Sequence, residues 1–238
     1  MNSPLILYSV PHVSDVVRVG SRFNCFEPFG IKVHQKGMGA RTAAKMGRPR
    51  NFAKNAALEA AMRVFWEKGY EGSTLADLTR AMGINRSSMY GTFGDKQALF
   101  RMAIARYAEG PAAYVREALE QPTVRAVVEA LLRGTLELLT DPSHPRGCLS
   151  VQGALACGSP AEPIKQALIE WRKRGESKIQ KRLQRARREK DLAKDVDPGD
   201  LARYISTVVT GIAVQSANGA TRAELTRLVD MLLRSMPF

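Results

Sequence analysis

From about residue 46 onward the apolar residues of the chain return at helical rather than extended spacing. Leu58, Ala61, Met62 and Phe65 follow i, i+3, i+4, i+7 and so share one buried stripe of a first helix. Gly69 follows as its C-terminal cap. Thr74 then opens a short second helix with Asp77 three residues on, an acidic form of the capping box, and with Leu75, Leu78 and Met82 as its buried side. Gly83 makes a turn, Ile84 plugs the core, and Asn85 caps a third helix carrying Arg86, Ser87, Ser88, Met89 and Tyr90. Tyr90 and Phe93 are both expected partly in the core. Gly94 breaks that helix, and Asp95 caps a fourth with Leu99, Phe100 and Ala103 along one side. Further on, Pro111, Pro122, the run Asp141–Pro145, Pro163 and Pro198–Gly199 punctuate the sequence. Helices are expected between them, near 122–140, 148–157, 163–190, 199–217 and 221–236. No alternating strand pattern survives, so the expected fold is all-α, with a compact helical unit at 46–108 and a larger helical domain at 109–238. Residues 1–45 fit neither period. Pro4, Pro11 and Pro28 interrupt them, and they are expected to be a disordered extension or the product of a mis-assigned start, since Met38 and Met46 both precede the first strong pattern.

Residues 74–93 carry the pattern of a helix-turn-helix, in which a short support helix, a tight turn and a second helix present polar groups to the major groove. Gly83 reaches a left-handed conformation at little cost. Arg86, Ser87 and Ser88 then stand at the start of the third helix, with donors and acceptors suited to base edges and phosphates. Asn85 belongs to the same group, though its role could be the cap alone. A tyrosine hydroxyl at Tyr90 can reach a phosphate, and Lys96 places a cation beside the N–H groups of the fourth helix start. Thr74 can contribute its hydroxyl and N–H in the same way. Upstream, Gly47–Arg48–Pro49–Arg50 reads as an extended basic arm, with Arg48 and Arg50 suited to a narrow minor groove, or else as a plain basic leader.

Composition sharpens this. The 238 residues hold 36 Lys+Arg against 23 Asp+Glu, a formal charge of +13, which favours a polyanionic partner such as double-stranded DNA. No stretch reaches the roughly 18–20 uncharged apolar residues of a membrane helix, so no membrane partner is expected. Cys25, Cys148 and Cys157 form no disulfide framework and no zinc pair, which suits a reducing cytoplasm. There is no phosphate loop, nucleophile elbow or His–carboxylate cluster at metal spacing, so neither an enzyme nor a cofactor is expected. A nonspecific or architectural nucleic-acid binder is the alternative to a sequence-specific regulator.

The run Phe65-x-x-Lys68-Gly69-Tyr70-x-x-Ser73-Thr74-Leu75, then Ala81-Met82-Gly83-Ile84, then Met89-Tyr90-x-x-Phe93-Gly94-Asp95-Lys96-x-x-Leu99-Phe100 resembles the DNA-binding signature of the TetR family of one-component repressors. The resemblance runs from about Gly47 to Tyr107. It implies phosphate contacts from Thr74, Tyr90 and Lys96, and base or backbone contacts from Arg86, Ser87 and Ser88. Many members carry an aromatic residue or histidine where this chain has Gly91. The resemblance also implies a homodimer reading a palindrome and a helical second domain that takes an unknown small-molecule effector. Leu201, Tyr204, Ile205, Val208, Val209 and Ile212, with Leu225, Leu228, Val229 and Leu232, suit a four-helix dimer interface. Met102, Cys148 and Trp171 are candidates for an effector pocket, with core packing as the plainer alternative. Cys148 and Cys157 read as buried small hydrophobes in preference to a thiol sensor. The ten Lys or Arg residues between Arg172 and Lys190 read as the solvated face of an amphipathic helix in preference to a second nucleic-acid surface.

Overall fold

Gly69 shows how the first helix is made and broken. The helix α1 (Pro49–Gly72) buries Ala61, Met62, Phe65 and Trp66, and at Gly69 its backbone leaves the helical region with φ 70° and ψ 178°. That bend turns Tyr70 inward, where its N–H donates to the carbonyl of Gly153 at 2.7 Å. The computed structural model describes residues 49–236 apart from Ala156, with side-chain surroundings from Lys54 onward. The expectations for residues 1–45 therefore lie outside the described residues.

Three helices complete the first part of the chain: α2 (Leu75–Met82), α3 (Arg86–Phe93) and α4 (Lys96–Glu109). Phe100 of α4 meets Phe65 edge-on at 4.9 Å and Tyr70 edge-on at 5.4 Å, while Tyr107 meets Trp66 edge-on at 4.8 Å. Such edge-to-face pairs add to the burial of large apolar surfaces and fix ring orientation.

The remaining helices are α5 (Tyr114–Leu119), α6 (Val124–Thr140), α7 (Leu149–Gln152), α8 (Glu162–Arg188), α9 (Pro198–Ala217) and α10 (Arg222–Ser235). The helix α6 sits at the centre. Val127, Val128, Leu131, Leu132 and Leu136 bury against Ile179 and Leu183 of α8, Ile205 and Ile212 of α9, and Leu225 and Val229 of α10. The buried Arg182 of α8 ties off the α5–α6 turn. Its Nε donates to Leu119 O at 3.1 Å, and its Nη2 donates to Gln121 O at 2.7 Å and Pro122 O at 3.1 Å. The guanidinium is thus held by the last carbonyl of α5 and by two carbonyls of the turn that follows it.

The expected helix at 148–157 is much shorter than its composition suggests. Among the described residues of that span only Leu149–Gln152 is helical, and Gly153 is already committed to Tyr70. A Cβ at Gly153 would collide with the Leu149 carbonyl and press on Phe100, so the glycine permits the close docking on α1 and α4. The described residues cluster as one compact unit, which includes both sides of the expected boundary at 108/109. Contacts across that boundary are specific: Trp66 Nε1 donates to Gly147 O at 2.7 Å, Arg63 Nη1 to Ser143 O at 2.6 Å, and Gly158 N to the Glu71 carboxylate at 3.1 Å.

Candidate nucleic-acid interface

Local capping chemistry builds the turn between α2 and α3. Thr74 is extended, with φ −82° and ψ 159°, and its hydroxyl accepts from Asp77 N at 3.0 Å. Asp77 answers by accepting from Thr74 N at 3.1 Å and from the Thr74 hydroxyl at 2.8 Å. Lys68 Nζ lies 3.0 Å from the same carboxylate. The Thr74 hydroxyl, the Lys68 side chain and the Thr74 amide together hold the Asp77 carboxyl down at about 2. Both donors of Thr74 are thus engaged inside the box, where the sequence had suggested a phosphate contact.

Gly83 closes α2 with φ 66° and ψ 27°, the left-handed region where glycine alone is unstrained. Asn85 caps α3: its Oδ1 accepts from Ser88 N at 2.8 Å and from the Ser87 hydroxyl at 2.8 Å. Met89 and Phe93 anchor α3 in the core, and Ile84 is only half-buried against it. On the outer face Arg86, Ser87, Ser88, Gly91 and Thr92 are exposed together. Tyr90 joins them at 45% exposure, so it is not part of the core as expected; spacing puts it one residue past the anchoring Met89. A Cβ built on Gly91 would meet nothing within 4 Å, so the helix surface is bare there.

Asp95 caps α4 by accepting from Ala98 N at 2.7 Å. Lys96 begins that helix, half-buried, with its Nζ 4.5 Å from the centre of the Tyr70 ring. Burial pulls the Lys96 ammonium below its ordinary value, partly offset by the charge of Glu71. Arg48 lies outside the described residues. Pro49 and Arg50 belong to the first turn of α1, so the expected extended arm is already helical there; Pro is at home in a first turn because the N–H it lacks would have no partner. Sequence reasoning passed over Lys54, whose Nζ lies 5.8 Å from the Phe93 ring centre, and Thr92, exposed one turn beyond Ser88. The signal for Lys54 was a further cation one turn after Arg50.

Two cavities lie away from this face. One of about 540 Å³ is lined by Arg63, Glu67, Arg146 and Gln152 among others. The other, of about 610 Å³, is lined by Pro111, Tyr114, Leu138, Asp141, His144 and Arg222, with neighbours. Neither is lined by Met102, Cys148 or Trp171. Cys148 is half-buried instead of fully buried, with its Sγ 3.3 Å from the Tyr107 hydroxyl and 3.1 Å from the Ser150 hydroxyl; Cys157 is half-buried as well. Burial, then the neighbouring Cys148 thiol, pushes the Tyr107 hydroxyl well above its ordinary value.

This geometry has close counterparts. The family model described as bacterial regulatory proteins, tetR family, matches residues 57–103, and that of the tetracyclin repressor-like C-terminal domain matches residues 121–232. The HTH-type transcriptional regulator YezE of Bacillus subtilis is 35% identical over 164 residues, which is 68% of this chain and 84% of YezE. This chain belongs to the TetR family. Within the family, the HTH-type transcriptional repressor ComR of Escherichia coli is 27% identical over 80% of this chain and 92% of its own length. The TetR family transcriptional regulator CifR, solved as a cysteine mutant complexed with 26-bp double-strand operator DNA, superposes with a TM-score of 0.76 at 40% identity. That match covers 80% of this chain and all of the CifR chain. Both halves of this TetR-family chain are thus matched, the helix-turn-helix and the helical domain behind it.

Proposed function

We propose that this TetR-family chain is a repressor that binds a palindromic operator as a homodimer in the cytoplasm and releases it when a small effector binds. The observation that carries the DNA-binding part is the outer face of α3, where Arg86, Ser87 and Ser88 stand exposed beside Tyr90 and are set by the Asn85 cap. In this reading Arg86 and the two serines read base edges, with the Asn85 amide nitrogen beside them. Tyr90 and Lys96 hold phosphates, and Arg48, Arg50 and Lys54 extend the contact from the start of α1. Thr74 serves by fixing the start of α2. A phosphate adds to the counter-charge that Glu71 already supplies to the partly desolvated Lys96 ammonium. CifR, solved with 26-bp double-strand operator DNA, supports the operator-binding reading. No catalytic step belongs to this reading.

The dimer is supported by α9 and α10, which leave Tyr204, Val214 and Met231 exposed beside half-buried Val208, Leu228 and Leu232. The effector is assigned to the cavity of about 610 Å³. His144 lines it and stacks at 5.2 Å on Trp66 of α1, so a molecule lodged there touches a side chain already in contact with the DNA-binding half.

The test is operator binding at fixed salt, using the region upstream of the chain's own gene. Arg86→Ala is expected to cost about 1–3 kcal/mol and to relax base preference. Tyr90→Phe and Lys96→Ala are expected to weaken binding while leaving the fold intact. If the native chain binds random DNA as tightly as that region, the reading gives way to the nonspecific binder.

A further inference from the structure

The long helix α8 carries a charge pattern that the operator contact leaves unused. Of the ten Lys and Arg residues from Arg172 to Lys190, three turn their heads to backbone carbonyls: Arg172 to Ser150, Arg182 to the α5–α6 turn, and Arg187 to Val196. Arg174, Lys178, Lys181, Arg185 and Arg188 all face solvent. Their spacing of four, three, four and three residues keeps them within an arc of about 80° and a length of about 21 Å at 3.6 residues per turn and 1.5 Å per residue. Ile179, Leu183 and Ala186 occupy the opposite side and are buried.

Carboxylates stand at the ends of this stripe. Glu170 lies 3.8 Å from Arg174 and Glu189 lies 2.8 Å from Arg185, with Glu120 of the α5–α6 turn also acting on Arg185. Glu176, the one acid within the span, lies on the other side and pairs with Arg203 of α9 at 3.6 Å.

We propose, on the DNA-binding reading above, that this stripe is a second DNA surface, which grips the phosphate backbone of duplex outside the stretch read by α3. A duplex strand advances about 3.4 Å of axis per phosphate while winding around it, so a straight row of five cations about 21 Å long spans about six phosphates and can reach several of them. An anionic membrane fits less well. A helix that lies on a lipid surface sinks an apolar face into it. The apolar face of α8 is used internally, and none of the exposed large hydrophobics, Tyr90, Leu155, Tyr204, Val214 and Met231, is on α8.

The experiment compares the native full chain with a variant carrying Lys178→Gln, Lys181→Gln, Arg185→Gln and Arg188→Gln. Glutamine keeps the helix propensity of these exposed positions, and circular dichroism with a thermal melt verifies the fold. Each protein is titrated against a long random-sequence duplex and against a short duplex that holds only its own operator, between 50 and 200 mM salt. The expected result is at least a tenfold loss on the long duplex, with the slope of log affinity against log salt falling by about 0.9 per phosphate contact removed. Affinity for the short operator duplex stays within about twofold. Equal losses on both duplexes overturn the proposal, because the stripe then acts only through the diffuse field of the whole protein. No loss on the long duplex overturns it as well, and flotation of the native chain but not the variant with phosphatidylserine vesicles would then assign the stripe to membranes. Failure of the operator reading is separate: it appears as no preference of the native chain for its operator, and the long-duplex comparison is still readable.

Discussion

Replacing Trp66 by phenylalanine isolates the joint between the two halves of the chain. Trp66 is 1% exposed, and its Nε1 donates to the buried Gly147 carbonyl at 2.7 Å. Phenylalanine preserves a ring for Tyr107 and His144 to pack on, but it has no donor and fewer atoms. Leaving the carbonyl unpaired costs about 1–3 kcal/mol. The lost ring atoms, roughly two to three methylene equivalents, cost about 2 kcal/mol more. A total near 4 kcal/mol lowers the melting temperature of a body of this size by about 8–16 °C, at about 2–4 °C per kcal/mol. Tyr107→Phe is the control. It keeps the packing but removes the 3.3 Å contact with Cys148 and the backbone hydrogen bond from Leu149, so its effect is expected at about 1–3 kcal/mol, still below that of Trp66→Phe. Differential scanning calorimetry on the native chain and both variants measures the difference. A Trp66→Phe shift of under about 2 °C, or one smaller than that of Tyr107→Phe, would refute the view that this hydrogen bond holds the halves together.

Gly134→Ala should destabilise although it improves helix propensity by about 1 kcal/mol. The new Cβ collides with the ring of Tyr114, which is held by a 2.9 Å hydrogen bond to Thr135. Overpacking of about 1–3 kcal/mol then outweighs the gain, and a higher midpoint in urea would show that Tyr114 can move away. The Asp77 carboxyl, held at about 2 in the fold, stabilises fully above its unfolded value near 3.9 and loses this contribution as pH falls through about 2. Asp77→Asn should therefore flatten the acid limb of the stability curve between those values, and an unchanged limb speaks against it. Met231 is 55% exposed on α10, so Met231→Lys is expected to shift the mass from dimer to monomer in light scattering; a dimer of undiminished stability would place the interface elsewhere.

The parts of this fold that rest on local chemistry were legible in the sequence. Thr74, Asp77, Gly83 and Asn85 each act within four residues of themselves, and their caps stand where the spacing put them. The stripe Ala61, Met62 and Phe65 likewise needed only helical periodicity. Contacts made at long range were not legible. The length of α7 is set by Tyr70 and Trp66, about 80 residues earlier, and its small residues carry no sign of that docking. Arg182 looked like one cation in a solvated run, yet it is buried because carbonyls 60–63 residues away claim it. The inward turn of Lys96 onto Tyr70 depends on the bend at Gly69, which composition marks as an end rather than as a change of direction.

The bare surface at Gly91 separates two properties that are usually entangled. The opposite face of α3 is anchored by Met89 and Phe93, whereas a side chain added at Gly91 meets no neighbour. A substitution there changes what the helix can touch in a groove without disturbing what holds the helix in place, and it removes the entropic cost of a glycine inside a helix. Divergence of target preference is therefore open to this chain one codon at a time, with no intermediate that has to fold less well than its parent.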